Sequence, residues 1–186
     1  MTQISKIKLR VAINRLRQGG IIAYPTEAVY GLGCDPLNKQ AVFRLLRLKL
    51  RSVDKGLILI ASSFDQLLPY IELSKIERLV DIQETWPGPV TWVFPAQKWV
   101  PRLLRGCYDT LAVRVTAHPL ASALANGFGK PLVSTSANPT GFYPARNALK
   151  TRKYFPKSEV YLFPGAVGSE KRTTSIFSAL DHSRIR

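Results

Sequence analysis

The sequence predicts a single α/β domain organised around one sheet, and three observations carry that expectation. Seven or so short apolar runs are bounded by Gly, Pro and small polar residues. They are interspersed with four or five segments whose apolar residues recur at helical spacing. A length of 186 residues is enough for one well-packed unit and short for two, so residues 1–186 are expected to form one domain without a linker or repeat. In order along the chain, Ile4, Ile7, Val11, Ile13 and Leu16 keep helical spacing until Gly19-Gly20 stops it. Ile21 to Tyr24 reads as a buried strand, and Pro25 to Pro36, PTEAVYGLGCDP, as a loop dense in Pro, Gly and polar groups. Ala41 to Leu50 predicts a second helix and Leu57 to Ala61 a second buried strand, with RSVDKG between them. Further strands are expected at Val90 to Phe94, Leu111 to Val115, Leu132 to Ser134, Val160 to Phe163 and Ser175 to Ser178. Helices are expected near Leu73 to Gln83, Pro119 to Ala125 and Arg146 to Tyr154.

Composition narrows the function classes. Hydrophobic residues make up 46% and charged residues 21%, a globular composition that excludes a disordered chain. Twenty-seven Lys and Arg against twelve Asp and Glu leave a net charge of +15, which favours a polyanionic partner such as RNA, a nucleotide, or both. Cys34 and Cys107 lie far apart and neither belongs to a C-x-x-C pair, which argues against a disulfide scaffold or a zinc site. His118 and His182 are too few for a His-rich metal centre. Lys6, Lys8 and Arg10 interrupt the apolar residues of the N-terminus, so neither a signal-peptide core nor a membrane span is expected there. The expectation is a soluble, cytoplasmic protein with no membrane partner.

Four polar clusters interrupt apolar runs and are the candidates for chemistry: Thr26-Glu27, Lys49-x-Arg51 with Asp54-Lys55, Arg114 within LAVRV, and Ser134 to Asn138 within KPLVSTSANPTG. An Arg in an otherwise apolar strand must face a polar cleft or pair with a carboxylate, because an unpaired buried charge is too costly. Each cluster also has a plainer reading. Arg114 could be a structural ion pair, Lys49 and Arg51 a solvated helix end, and the Ser/Thr/Asn run a capped turn. A Walker-type phosphate loop is absent, and GLGCDP supplies only two glycines of a dinucleotide fingerprint before Pro36. No nucleophile elbow supports a Ser-His-Asp or Cys-His enzyme, and Cys34 reads as a small buried hydrophobe.

Taken together, AYPTEAVYGLGCDP (Ala23 to Pro36), LKLRSVDKGLILIA (Leu48 to Ala61), WPGPVTWVFPA (Trp86 to Ala96), LAVRVTAHPL (Leu111 to Leu120) and KPLVSTSAN (Lys130 to Asn138) resemble the YrdC/TsaC family of L-threonylcarbamoyladenylate synthases. The resemblance covers most of the chain, in the family's order. It implies the YrdC-type twisted mixed sheet with flanking helices and a positively charged concave face. The implied reaction joins L-threonine, bicarbonate or CO2, and ATP into threonylcarbamoyl-AMP and pyrophosphate. A separate tRNA threonylcarbamoyl transferase complex would then modify the adenosine next to the anticodon.

The same resemblance assigns roles residue by residue. Lys49 and Arg51 match the family's K-x-R motif and would grip the triphosphate as its catalytic cations. Thr110, Ser136, Asn138 and Arg186 match nucleotide-contacting positions, and Thr26, Arg114, Ser134 and Thr174 threonine-contacting ones, Arg114 taking the carboxylate. Mg2+ is expected to arrive on the phosphates of ATP, since few carboxylates are on offer. Tethered carbamate chemistry needs orientation and cationic stabilisation more than a protein nucleophile. The chain departs from the pattern at Ser52, Pro144 and Thr173. Two other readings stay open on the residues alone: an RNA-binding module for tRNA or double-stranded RNA without catalysis, and a carbamoyltransferase acting on another acceptor.

Overall fold

The computed structural model describes residues 5–170 and 174–186, so Ile4 and Thr173 lie outside the described residues. Among the described residues eight strands form one sheet: β1 (Ile21–Pro25), β2 (Tyr30–Gly33), β3 (Ile58–Ala61), β4 (Val90–Pro95), β5 (Thr110–Val115), β6 (Leu132–Ser136), β7 (Val160–Leu162) and β8 (Ser175–Ser178). Their spatial order is β7-β1-β2-β6-β3-β5-β4-β8. The sheet is mixed, with β1/β7, β3/β5 and β4/β8 parallel and the remaining neighbours antiparallel. The helices are α1 (Lys6–Arg17), α2 (Lys39–Lys49), α3 (Leu79–Glu84), α4 (Arg102–Arg105), α5 (Pro119–Phe128) and α6 (Ala148–Tyr154).

Two apolar clusters cover opposite faces of the sheet, and strand alternation assigns residues to each. Ile22 and Tyr24 of β1, Ile60 of β3 and Leu132 of β6 pack with Ala12 and Leu16 of α1 and Leu124 and Phe128 of α5. Ile21 and Ala23, Leu59, Val113 and Val133 point the other way, against Ala41, Val42 and Leu45 of α2. Each fully buried Leu, Ile or Val contributes about 1.5–3 kcal/mol relative to exposure. The helix ends follow local rules. Ser5 and Asn38 cap α1 and α2 by accepting from Lys8 N and Ala41 N, and Gly129 closes α5 in the left-handed region.

Three sequence expectations are corrected. PTEAVYGLGCDP is not all loop, because Tyr30–Gly33 forms β2 between β1 and β6. Its glycines disguise it: a Cβ on Gly33 would fall 2.5 Å from the Val133 carbonyl and 2.8 Å from the Tyr24 ring, so close approach of the neighbours requires glycine in a central strand. The helix expected over Leu73 to Gln83 shrinks to α3. Before it, the Glu72 carboxylate takes the Ser74 N–H at 3.0 Å and Ile76 turns back onto Leu73, a local arrangement that competes with helix. Strand β6 also runs two residues past Ser134, because Thr135 and Ser136 pair with Leu32 and Gly31. Among the described residues no helix is long and apolar enough to cross a membrane.

Candidate active site

Strand period and register decide which side chains share the open face of the sheet. On β5, Thr110, Ala112 and Arg114 alternate with Leu111, Val113 and Val115. Arg114 lies beside Ile60 and Ala112 beside Ile58, Ile58 lies opposite Ser134, and Ser136 opposite Gly31. Helices α1 and α5 cover only the Ile22, Ile60 and Leu132 part of this face. Beyond their edge, Gly31, Ile58, Arg114, Ser134 and Ser136 line a cavity of about 140 Å³, completed by Thr26, Thr174, Arg51 and Arg186. A Cβ on Gly31 would stand 3.3–3.4 Å from Thr26 Cγ2, Ser134 Oγ and the Tyr24 ring, so a larger residue there would occupy the floor of the cavity.

A second cavity of about 340 Å³ adjoins the first and shares Arg51, Leu57, Ile58 and Arg186 with it. Its walls are apolar at Val93, Leu104, Ala112, Ile176 and Ile185 and polar at Thr110, Tyr108 and Arg105. The cleft thus has a small polar lobe and a larger, more apolar one, with two guanidinium groups on the shared wall. Arg51 donates to the Lys55 and Gly56 carbonyls at 3.2 and 2.8 Å, and Arg186 to the Thr174 carbonyl at 3.4 Å. Burial, and then the neighbouring Arg186 charge, push the Arg51 pKa down. The two cations repel each other and neither makes an ion pair among the described residues.

Deeper in, the charges are answered by the protein itself. The Arg114 side chain is 6% exposed, and its Nη2 lies 3.2 Å from Glu27 Oε2. The other carboxylate oxygen of Glu27 accepts from Thr116 Oγ1 at 2.6 Å and Ala117 N at 3.1 Å. The Arg114–Glu27 contact is ionic without hydrogen-bond alignment, and both Arg114 Nε and Glu27 Oε2 lack a hydrogen-bond partner. Arg114 therefore does both things its place in an apolar strand allows: it pairs with a carboxylate and it lines the cleft.

Lys49, at the end of α2, is 3% exposed and sends its ammonium to the Ser136 and Asn138 carbonyls, the latter at 2.7 Å. Burial, and then the nearby Arg51 charge, lower its pKa to about 8. Asn138 turns its amide onto the Pro139 and Phe142 carbonyls at 3.0 and 2.7 Å. Of the residues singled out in the sequence, Thr26, Arg51, Arg114, Ser134, Ser136, Thr174 and Arg186 meet in the small lobe and Thr110 in the large one. Lys49 and Asn138 stand behind that wall and hold the loop after β6. Glu27 was visible only as the neighbour of Thr26, although a buried Arg in a chain poor in carboxylates points to such a partner. Tyr108, Arg105 and Ile185 carried no sequence signal. Among the described residues no group of three His, Cys, Asp or Glu could hold a metal ion, and no Asp or Glu side chain lines either lobe.

Comparisons with known proteins find relatives in sequence and in fold. A threonylcarbamoyl-AMP synthase of Methylococcus capsulatus is 49% identical over 186 residues, which is all of this chain and all of that protein. A doubly substituted P. abyssi Sua5 superimposes with a TM-score of 0.92 at 31% identity, covering 98% of this chain. P. abyssi Sua5 complexed with L-threonine gives 0.88 at 33% identity over 95% of this chain. The chain spans only 56% and 52% of those two Sua5 chains. The profile of the Sua5/YciO/YrdC family, described as telomere recombination, matches residues 14–185, and the chain belongs to that family.

Proposed function

We propose that this protein is a threonylcarbamoyl-AMP synthase, and that the two-lobed cleft with Arg51 and Arg186 on its shared wall is where the reaction occurs. The observation that carries the reading is the convergence of Thr26, Arg114, Ser134, Ser136 and Thr174 on a lobe of about 140 Å³ beside one of about 340 Å³. The small lobe suits an amino acid, with Arg114 for the carboxylate and hydroxyls for the side chain. The larger lobe suits adenine and ribose, with apolar walls and Thr110 and Tyr108 at its edge. A nucleotide spanning both would place its phosphates between Arg51 and Arg186. The full-length likeness to a curated threonylcarbamoyl-AMP synthase and the likeness to the threonine-bound Sua5 support the same assignment.

Threonine's amine and CO2 give a carbamate with release of a proton. A carbamate oxygen then attacks the α-phosphorus of ATP, the bond to the bridging oxygen breaks, and pyrophosphate leaves. No side chain need become covalently bound. The protein's part is to hold carbamate and triphosphate in line and to answer the charge that moves onto pyrophosphate. Two guanidiniums on one shared wall are suited to this, because an arriving anion relieves their repulsion. The donors of the cleft fit phosphate oxygens rather than a cation, so Mg2+ would be carried by ATP and water. In this reading the product passes to a tRNA threonylcarbamoyl transferase complex in the cytoplasm.

The test is pyrophosphate release on incubation with threonine, bicarbonate and Mg-ATP. Release should depend on threonine, fall modestly with serine and fall strongly with valine, since leaving buried polar groups unpaired costs about 1–3 kcal/mol each. Equal rates with threonine and valine would remove the threonine pocket. Absence of threonine-dependent release from folded protein would remove the synthase.

A further inference from the structure

A concavity of about 620 Å³, larger than either lobe of the cleft, lies at the N-terminal end of β1 and shares no residue with the cleft. Four cations from four parts of the chain line it: Arg15 in the last turn of α1, Arg44 in the middle of α2, Arg152 in the last turn of α6, and Lys157 in the loop that follows. A cavity of about 250 Å³ continues from it, sharing Arg44, Leu48 and Glu159 and adding Arg47 one turn further along α2. Glu159 is the one carboxylate in either lining, and none of the five cations belongs to an ion pair among the described residues. Arg44 and Arg152 are oriented by the Gly19 and Val160 carbonyls, which hold part of each guanidinium and leave the rest of the fork unpaired by protein charge.

Cations at helix C-termini complement the helix dipole, and that alone would account for Arg15 and Arg152. It does not account for Arg44 in mid-helix or Lys157 in a loop, nor for four cations meeting around one cavity with Glu159 as the single carboxylate. We propose that this edge of the sheet binds the phosphodiester backbone of a nucleic-acid strand, at a site separate from the cleft. The run from Lys157 and Arg152 past Arg44 to Arg47 extends over two adjoining cavities, more than one phosphate group needs. Tyr161 is the only aromatic residue of the linings, so the site lacks the stacking platforms that would read bases. Backbone contacts of this kind draw their affinity from counterion release and carry little sequence information. The inference stands independently of the synthase reading, because it uses none of the cleft residues.

The experiment compares two double charge reversals that change net charge equally. Arg47→Glu/Lys157→Glu alters the edge, where both side chains are exposed and hold no hydrogen bond among the described residues. Lys75→Glu/Lys98→Glu alters two exposed lysines elsewhere. Binding of a tRNA transcript is followed by fluorescence anisotropy over a NaCl series. The edge variant should bind at least about tenfold more weakly at low salt and lose about 2 from the slope of log K against log salt, while the control stays within about twofold of the native protein. Both variants should keep the native unfolding midpoint and threonine-dependent pyrophosphate release. Equal losses in the two variants would assign binding to net charge, and no loss in the edge variant would remove the site. Saturable displacement of the transcript by inorganic phosphate at constant ionic strength would make the edge a small-anion site. Each of these results overturns the proposal.

Discussion

Lys49 and Arg51 stand two residues apart in the chain and end in opposite electrostatic situations. Lys49 is buried, and its ammonium is spent on the Ser136 and Asn138 carbonyls. Arg51 lines both lobes of the cleft beside Arg186, and its guanidinium is answered only by carbonyls of the adjacent turn. The same contrast divides the whole site. Its inner part, Lys49 with the β6 loop and Arg114 with Glu27, consists of charges neutralised within the protein. Its outer wall, Arg51 and Arg186, consists of neighbouring charges with no ion pair among the described residues. Inner charges should govern stability and the shape of the cleft, Arg114 also presenting itself to the small lobe, and outer charges should govern nucleotide binding and turnover. A motif that reads as one unit, K-x-R, therefore splits into a cation bonded to protein carbonyls and a cation that lines the cleft.

The contrast breaks most visibly at Glu27. Removing one partner of a buried ion pair costs about 3–5 kcal/mol, so Glu27→Ala should lower the unfolding free energy by about that much in urea titrations. Native stability in that variant would mean that Arg114 does not depend on Glu27. Lys49→Met comes next. It leaves two loop carbonyls without their donor, at about 1–3 kcal/mol per unsatisfied group, and should lower stability by about 2–4 kcal/mol while weakening use of both threonine and ATP. If only ATP use suffered and stability held, Lys49 would belong with the outer wall.

Arg186→Gln probes the other side of the comparison. Stability should change by less than about 1 kcal/mol, since a repulsion is relieved as one weak hydrogen bond is lost. Turnover per unit ATP should drop by about tenfold to a hundredfold, the loss of a charge-assisted contact worth about 1.5–3 kcal/mol. A variant that turns over normally but unfolds early would reverse the assignment. The smallest effect is a pH dependence. The Lys49 pKa is about 8 in the folded protein against an ordinary 10.5, so between those values the unfolded chain binds more protons at this residue. Its contribution to stability should therefore rise as pH increases from about 8 toward 10.5 and be absent below that window. The buried tyrosines and Cys34, whose pKa values are raised by burial, act in the opposite direction. The difference between native protein and Lys49→Met across that range isolates the lysine, and a flat difference would show that its ammonium is not penalised by burial.

Much of this is legible in the order of the amino acids. Apolar runs such as Ile21 to Tyr24 and Leu111 to Val115 bury on both faces and so announce strands by composition alone. An Arg in the second of them announces a polar cleft or a partner, because no other arrangement is affordable for a buried charge. The hydroxyl-rich end of β6 likewise marked a place where ligands could be held. Where the reading failed, the residues were obeying neighbours distant in sequence. Tyr30–Gly33 looks like loop because its glycines answer to Val133 and Tyr24, and Leu73 to Arg78 looks like helix because its side chains reach the core from turns.

Side-chain chemistry and local period are enough to dictate the fold class, the set of strands apart from β2, and the stock of cations and hydroxyls from which a site could be made. Long-range packing sets the register that puts Arg114, Ser134 and Ser136 on the same open face as Gly31. It also decided that Lys49 turns inward while Arg51 does not, and that Arg15, Arg44, Arg152 and Lys157 meet around one cavity. The reason is physical: strand pairing and helix packing bring together residues up to more than a hundred positions apart, and whether a charge is neutralised or left open depends on which of those distant groups arrives beside it.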